Sequence, residues 1–278
     1  MKVVLTNPFS ELGVILLKEL TKRGHEVLAI GEKEDKLNID KVEYSYSQIS
    51  DADLTTYAPK LKGYDAIIII PKFSLVNKFS STSLAYDYIG GFNEILRLSN
   101  FKKIIFVSSL NANTFSNYFD YKLMLDFEKE LIGSGKSYVI HHANLRFSEL
   151  DYLINVYINN YGNHKVTKSN FINPISDADL GEFIAKTVRD DNKIYNIGGK
   201  ETYSFNELLL LRLETKLKPY DTKLISISDL KNIHNKVLKK DSNLNLELSF
   251  LQAVLSDNLI GENTTGQKSF KNYIRQNY

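Results

Sequence analysis

The stretch Thr6-Asn7-Pro8-Phe9-Ser10-Glu11-Leu12-Gly13 leaves an apolar run and opens an amphipathic one, a place where a chain can hold phosphate. In a dinucleotide-binding unit the first strand ends in a tight turn beneath the pyrophosphate, and the next helix points its N-terminal amides at it. A GxxGxxG spacing would put glycine at positions 7, 10 and 13, and only Gly13 is present, where helix and strand must pack closely. Asn7 visits positive φ more readily than most other residues and Ser10 is small, so the backbone path survives with less room for phosphate. Glu11 repels a pyrophosphate unless its side chain points away. The same residues suit a cofactor cradle or an ordinary turn. Elsewhere, Asp177 and Asp179 near a helix start read as capping and dipole partners. His141 and His142 are neighbours in a strand-like run, so they face opposite sides and form no metal pair.

The surrounding composition narrows the class. With 278 residues the chain is long enough for one large domain, or for a domain with a smaller appendage. At 43% hydrophobic and 24% charged residues it is ordinarily globular. Its 35 Lys+Arg against 33 Asp+Glu leave a net charge of +2, which gives no positive footprint for nucleic acid. The absence of cysteine removes disulfides, thiolate metal sites and thiol catalysis together. The longest apolar run, Ala66 to Pro71, is far short of the ~20 residues a bilayer requires. These features predict a cytoplasmic protein with no membrane and no nucleic-acid partner.

Short apolar runs alternate with helix-period segments through the first half, the pattern of a parallel sheet with crossover helices. Strands are expected at Lys2–Thr6, His25–Ile30, Val42–Tyr46, Asp65–Ile70, Lys103–Ser108 and Tyr138–His142, and helices at Glu11–Arg23, Asp53–Leu61, Ala85–Ser99 and Tyr118–Gly133. Beyond about residue 145 the alternation loosens: Ser176–Arg189, Phe205–Lys216, Ser228–Lys239 and Leu244–Ser256 read as helices, Lys193–Ile197 as a strand, and Gly198-Gly199 as a turn. The fold class is therefore α/β, a Rossmann-like doubly wound parallel sheet with a small C-terminal α/β lobe. Residues 1–145 are expected to form the dinucleotide-binding domain, and 146–278 the substrate-side lobe with segments returning to the sheet.

The stretches KVVLT…LG, GHEVLAI, GYDAIIIIP, KKIIFVSSL, LIGSGKSYVIHHANL, DADLGEFIA and KIYNIGGKETYSFNELL occur in an order and at spacings that resemble the atypical, NmrA-like branch of the short-chain dehydrogenases/reductases. The tail, with Leu259-Ile260-Gly261-Glu262-Asn263-Thr264-Thr265, is similar to that of NmrA-like quinone oxidoreductases and triphenylmethane reductases.

The resemblance implies a cofactor, NAD or NADP, along Thr6, Asn7, Phe9, Ser10, Glu11, Leu12 and Gly13. Glu32 follows the second strand, where an acidic residue bonds a free ribose hydroxyl and favours NAD, while Lys33 beside it leaves NADP open. Gln48 and Ile49 fill the slot in which the family usually sets an Asp against adenine, and Ile70, Pro71 and Lys72 fall beside the nicotinamide ribose. Ser108 stands where the family's serine orients the substrate oxygen. Tyr118 and Lys122 have the Tyr-x-x-x-Lys spacing that brings phenol and ammonium to one helix face. Counted back from Glu128–Leu131, however, the family's Tyr and Lys fall nearer Asp120 and Met124. Asn144 and Phe147 are expected to shape the acceptor side, and His142-Ala143 replaces the usual Arg-Pro. Quinone reduction needs positioning over the nicotinamide more than a dedicated acid. The expected activity is thus NAD(P)H-dependent reduction of a quinone-like or other planar small-molecule acceptor, by a monomer or homodimer. The alternatives are a non-catalytic NAD(P)-binding sensor or regulatory protein, and a scaffold that binds no nucleotide.

Overall fold

The apolar runs become strands buried on both faces, because helices cover both sides of the sheet. The computed structural model describes residues 1–31, 39–46, 61–71, 96, 101–110, 112–113, 119–215, 222–238, 251–252 and 254–278. Its strands are β1 (Lys2–Thr6), β2 (Glu26–Gly31), β3 (Val42–Tyr46), β4 (Ala66–Ile69), β5 (Lys103–Ser109), β6 (Ser137–Ala143), β7 (Lys165–Val166), β8 (Phe171–Ile172), β9 (Lys193–Gly199), β10 (Tyr203–Ser204), β11 (Leu224–Ile225) and β12 (Asn263–Thr265). Eight of them form one sheet in the order β12-β9-β6-β5-β4-β1-β2-β3, every pair parallel. The chain winds outward from β1 through β2 to β3, then returns to β4 on the other side of β1. The crevice above the carboxyl ends of β1 and β4 is the switch point at which doubly wound sheets bind ligands.

The helices are α1 (Glu11–Lys22), α2 (Phe119–Gly133), α3 (Phe147–Tyr161), α4 (Asp177–Thr187), α5 (Phe205–Glu214), α6 (Ile227–Leu238) and α7 (Phe270–Asn277). On one sheet face α1 and α4 pack over Val3, Leu5, Ile68 and Ile105; on the other α2 sets Leu123, Phe127 and Leu131 against Val4, Ile67 and Phe106. The remaining core lies between α3, α5, α6 and α7, around Tyr157, Phe205, Leu208 and Phe270.

The doubly wound sheet agrees with the sequence reading, and the expected strands agree within a residue or two. The helices expected at Asp53–Leu61 and Ala85–Ser99 lie outside the described residues except for Leu61 and Leu96, both helical and buried. Two helices had no counterpart in that reading: α3, whose buried Phe147, Leu150, Ile154, Tyr157 and Tyr161 keep helical spacing, and the short α7. Gly198-Gly199 is not a turn but the end of β9, crowded by Asn173 and Pro174 so that neither has room for a Cβ.

The segment before and after β12 is tied down by three buried side chains. Asn144 donates its amide to the carbonyls of Asn173 and Leu259 at 3.0 and 2.7 Å, and to Asn173 Oδ1 at 2.6 Å. Asn173 in turn holds the Gly261 backbone at both N–H (2.8 Å) and C=O (3.0 Å). The Asp179 carboxylate accepts from the Gln267 and Lys268 amides, each at 3.1 Å, beneath the positive-φ Gly266.

Candidate active site

The turn after β1 puts a left-handed residue, a capping hydroxyl and a Cβ-free contact at positions 7, 10 and 13. Asn7 sits at φ 51°, the left-handed region where glycine is the usual occupant. Ser10 is the N-cap of α1: its hydroxyl donates to the Asn7 carbonyl at 2.9 Å and accepts from the Gly13 amide at 3.1 Å. A Cβ on Gly13 would lie 2.7 Å from the Pro8 carbonyl carbon and closer still to the Asn7 oxygen. Thr6 Oγ1 accepts from the Ile70 amide at 3.0 Å, stapling the ends of β1 and β4, and Pro71 follows, buried. Leu12 sends its side chain into the core, so only its backbone belongs to the turn. With the Gly13 amide capped, the N–H groups of Glu11 and Leu12 are the first-turn donors left without an intrahelical partner.

Pro8 and Phe9 distinguish this turn. Pro8 lies against the end of β2, where a Cβ on Gly31 would come within 2.7 Å of its ring, and Phe9 stacks on Tyr44 of β3 at 6.1 Å and 12°. The space above β2 and β3 is therefore lined by rings.

Electrostatics at this edge are dominated by carboxylates. Arg146, the N-cap of α3, pairs with Glu149 at 2.6 Å and with Asp177 of α4 at 3.2 Å, and Glu11 acts on Asp177 from α1. Burial pushes the Asp177 carboxyl up to about 6; Arg146 opposes the shift, while Glu11 and Glu149 add to it. A group whose folded pKa is raised loses stability as pH climbs from its ordinary carboxylate value to the folded one. Asp177→Asn is therefore expected to raise the melting temperature at pH 7–8, by about 1–2 kcal/mol of stability, with the gain vanishing below pH ~4. Thermal melts across that range check this.

At the carboxyl ends of β5, β6 and β9 a second polar group assembles. Ser108, His142 and Asn196 are adjacent in the parallel register on one sheet face, and α2 lays Glu128 over them. Ser108 Oγ donates to Glu128 Oε1, Glu128 Oε2 lies 3.0 Å from His142 Nε2, and His142 Nδ1 lies 2.9 Å from Asn196 Oδ1. Burial alone would hold the His142 pKa down, but its bond to Glu128 and the carboxylate's charge outweigh that and raise it. His141 faces the other way, buried against Thr187 at 2.8 Å and stacked on Tyr195; desolvation brings its pKa down to about 3.

Of the residues singled out in the sequence, Thr6, Asn7, Phe9, Ser10, Glu11, Leu12, Gly13, Ile70 and Pro71 meet at the switch point, and Ser108 is the last residue but one of β5, two strands from β1. Lys122 is exposed on α2. Glu32, Gln48, Ile49, Lys72 and Tyr118 lie outside the described residues. Asn144 is 3% exposed with its amide engaged as above, and Phe147 packs against Phe270 and Tyr273 at 5.3 and 5.5 Å. Glu128 and Asn196 carried no local sequence signal, since their partners lie on other elements. Among the described residues no group of three His, Asp or Glu could hold a metal ion, and no helix is long and apolar enough to cross a membrane.

No protein-family model matches the chain, nor does any curated protein. Solved structures do. Triphenylmethane reductase from Citrobacter sp., complexed with NADP(H), superposes with a TM-score of 0.70 at 15% identity, covering 100% of both chains. The NADPH-dependent quinone oxidoreductase of Escherichia coli, complexed with NADPH, gives 0.70 at 16% identity over 99% of each. The chain has the fold of these reductases. That reductase fold extends in part to the UDP-glucose 4-epimerase of Thermotoga maritima, with a TM-score of 0.59 at 12% identity over 81% of this chain and 86% of that one. The likeness agrees with the NmrA-like resemblance read from the sequence, C-terminal segment included.

Proposed function

We propose that the protein is an NAD(P)H-dependent oxidoreductase acting on a quinone-like or other planar acceptor. The observation that carries this reading is the turn itself: a left-handed residue at 7, a capping hydroxyl at 10 and a Cβ-free contact at 13 retain the path that sets a diphosphate on a helix N-terminus. The two reductases of like fold, one complexed with NADP(H) and the other with NADPH, support it. The amides of Glu11 and Leu12 would hold the diphosphate, Glu32, Gln48 and Ile49 the adenosine end, and Ile70, Pro71 and Lys72 the nicotinamide ribose. When bound, the reduced nicotinamide supplies a hydride. Ser108 orients the acceptor, and Asn144 and Phe147 support the wall behind it. Tyr118 and Lys122 stand as the acid pair only if residue 118 meets the acceptor, which quinone reduction does not require.

A second reading, a non-catalytic NAD(P) sensor, draws support from the Pro8–Gly31 and Phe9–Tyr44 contacts and from the carboxylates Glu11 and Asp177. Titration of NADH and NADPH, followed by nicotinamide fluorescence and calorimetry, is expected to give micromolar dissociation constants, with their ratio reporting on Glu32. Turnover with a panel of quinones then favours the enzyme over the sensor. No binding at millimolar cofactor would overturn both readings.

A further inference from the structure

The polar chain beneath the carboxyl end of β5 fixes where its protons lie. Both nitrogens of His142 face oxygen acceptors, Asn196 Oδ1 on one side and Glu128 Oε2 on the other. With Asn196 turned so that Oδ1 meets Nδ1, the imidazole serves both acceptors when each nitrogen carries a hydrogen, the imidazolium form that the Glu128 charge favours. The Glu128 carboxylate thus accepts on both sides, from His142 at Oε2 and from Ser108 at Oε1. The Ser108–Glu128 contact therefore has one polarity: the single hydroxyl proton of Ser108 points inward to Glu128, and Ser108 Oγ has only lone pairs left to offer.

We propose that Glu128, held by His142, is a positioning residue that makes Ser108 a hydrogen-bond acceptor toward the ligand, so that the planar acceptor seated there carries an amino, amide N–H or hydroxyl donor at that edge rather than a bare carbonyl. This rests on the oxidoreductase reading, in which Ser108 orients the acceptor, and it narrows the substrate class to donor-substituted rings. Replacing Glu128 by Gln inverts the arrangement. The Gln carbonyl stays on His142, its N–H turns to Ser108 Oγ, and the serine proton swings outward.

The test uses the full chain with oxidised cofactor, so that nothing turns over, and an amino-substituted naphthoquinone beside its methyl-substituted isostere. Binding of each is followed by calorimetry. The wild type is expected to favour the amino compound about fivefold to tenfold, the worth of one neutral hydrogen bond. Glu128→Gln and Ser108→Ala are each expected to abolish the preference, and Ser108→Ala keeps the test open if Glu128→Gln fails to fold. A merely structural Glu128 would lower stability and leave the ratio unchanged. Equal preferences in wild type and Ser108→Ala, or binding of neither quinone, would overturn the polarity of Ser108. Failure of the cofactor itself to bind would instead overturn the oxidoreductase reading.

Discussion

Gly13→Ala is expected to abolish detectable NAD(P)H binding and to lower stability by about 2–4 kcal/mol, because the new methyl group meets backbone that cannot retreat. Its neighbours would be the carbonyls of Asn7 and Pro8, the latter oxygen at 2.8 Å. Asn7 is already in the left-handed region, and Pro8 is backed by Gly31, where its ring leaves no room for a Cβ. The turn is boxed between two glycines that are distant in sequence. Relief must come from moving the start of α1, which would carry the Glu11 and Leu12 amides away from the position proposed for the diphosphate. For a chain of this size the loss corresponds to a melting-temperature drop of roughly 5–10 °C. Gly133→Ala is the control: its Cβ meets nothing within 4 Å at the end of α2, and it is expected to be neutral or slightly stabilising. A Gly13→Ala protein that bound cofactor as well as the control would remove the turn from the site.

Glu128→Ala is expected to cost about 3–5 kcal/mol, the usual consequence of removing one partner from a buried pair. The carboxylate is 9% exposed and the imidazole 22%, so solvent screens little of it. Its pH dependence separates this loss from a simple cavity. In the wild type the folded pKa of His142 is raised above 6.5, so its stabilising contribution is fully present below that value and lost as pH rises through the folded pKa. Without Glu128, burial becomes the dominant influence and the folded pKa falls below 6.5. The variant then loses stability as pH falls through 6.5, since the unfolded chain takes up a proton that the folded one resists. The gap between the two proteins should be widest in mild acid and shrink toward alkaline pH, as denaturant melts at matched pH would show. A gap independent of pH would mean that His142 is neutral in the fold.

The strands and their burial were legible because a parallel sheet writes itself as short runs of Val, Ile and Leu, a local signal. So was the turn at Thr6–Gly13, where Asn7 had the chemistry for a left-handed position and took it. The opposed faces of His141 and His142 followed from strand alternation alone. The Ser108–Glu128–His142–Asn196 chain could not be read in this way. Its members are 20, 14 and 54 residues apart in successive pairs, and only the parallel register and the seating of α2 bring them together. The same holds for Gly198, whose need to be glycine comes from Asn173 rather than from a turn. Helix α3 had no counterpart in the sequence reading, although its buried positions from Phe147 to Tyr161 keep helical spacing.

The three side chains that bind residues 259–268 also determine the order in which the sheet can be finished. Asn144 reaches Leu259 across 115 residues, and Asn173 reaches Gly261 across 88. Until that late segment arrives, β9 has a hydrogen-bonding edge with no β12 beside it, and the buried amide of Asn144 lacks a carbonyl it depends on. Pairings of such sequence separation form slowly, since loop closure must precede any gain from contact. A nascent or partly unfolded chain thus presents an open parallel edge, the template on which chains pair with one another. The proximity of Ile194 to that edge, 46% exposed even in the finished fold, adds an apolar foothold. Residues 263–265 accordingly cover the Ile197–Gly199 stretch of that edge, a consequence of strand topology that is independent of whatever the cleft binds.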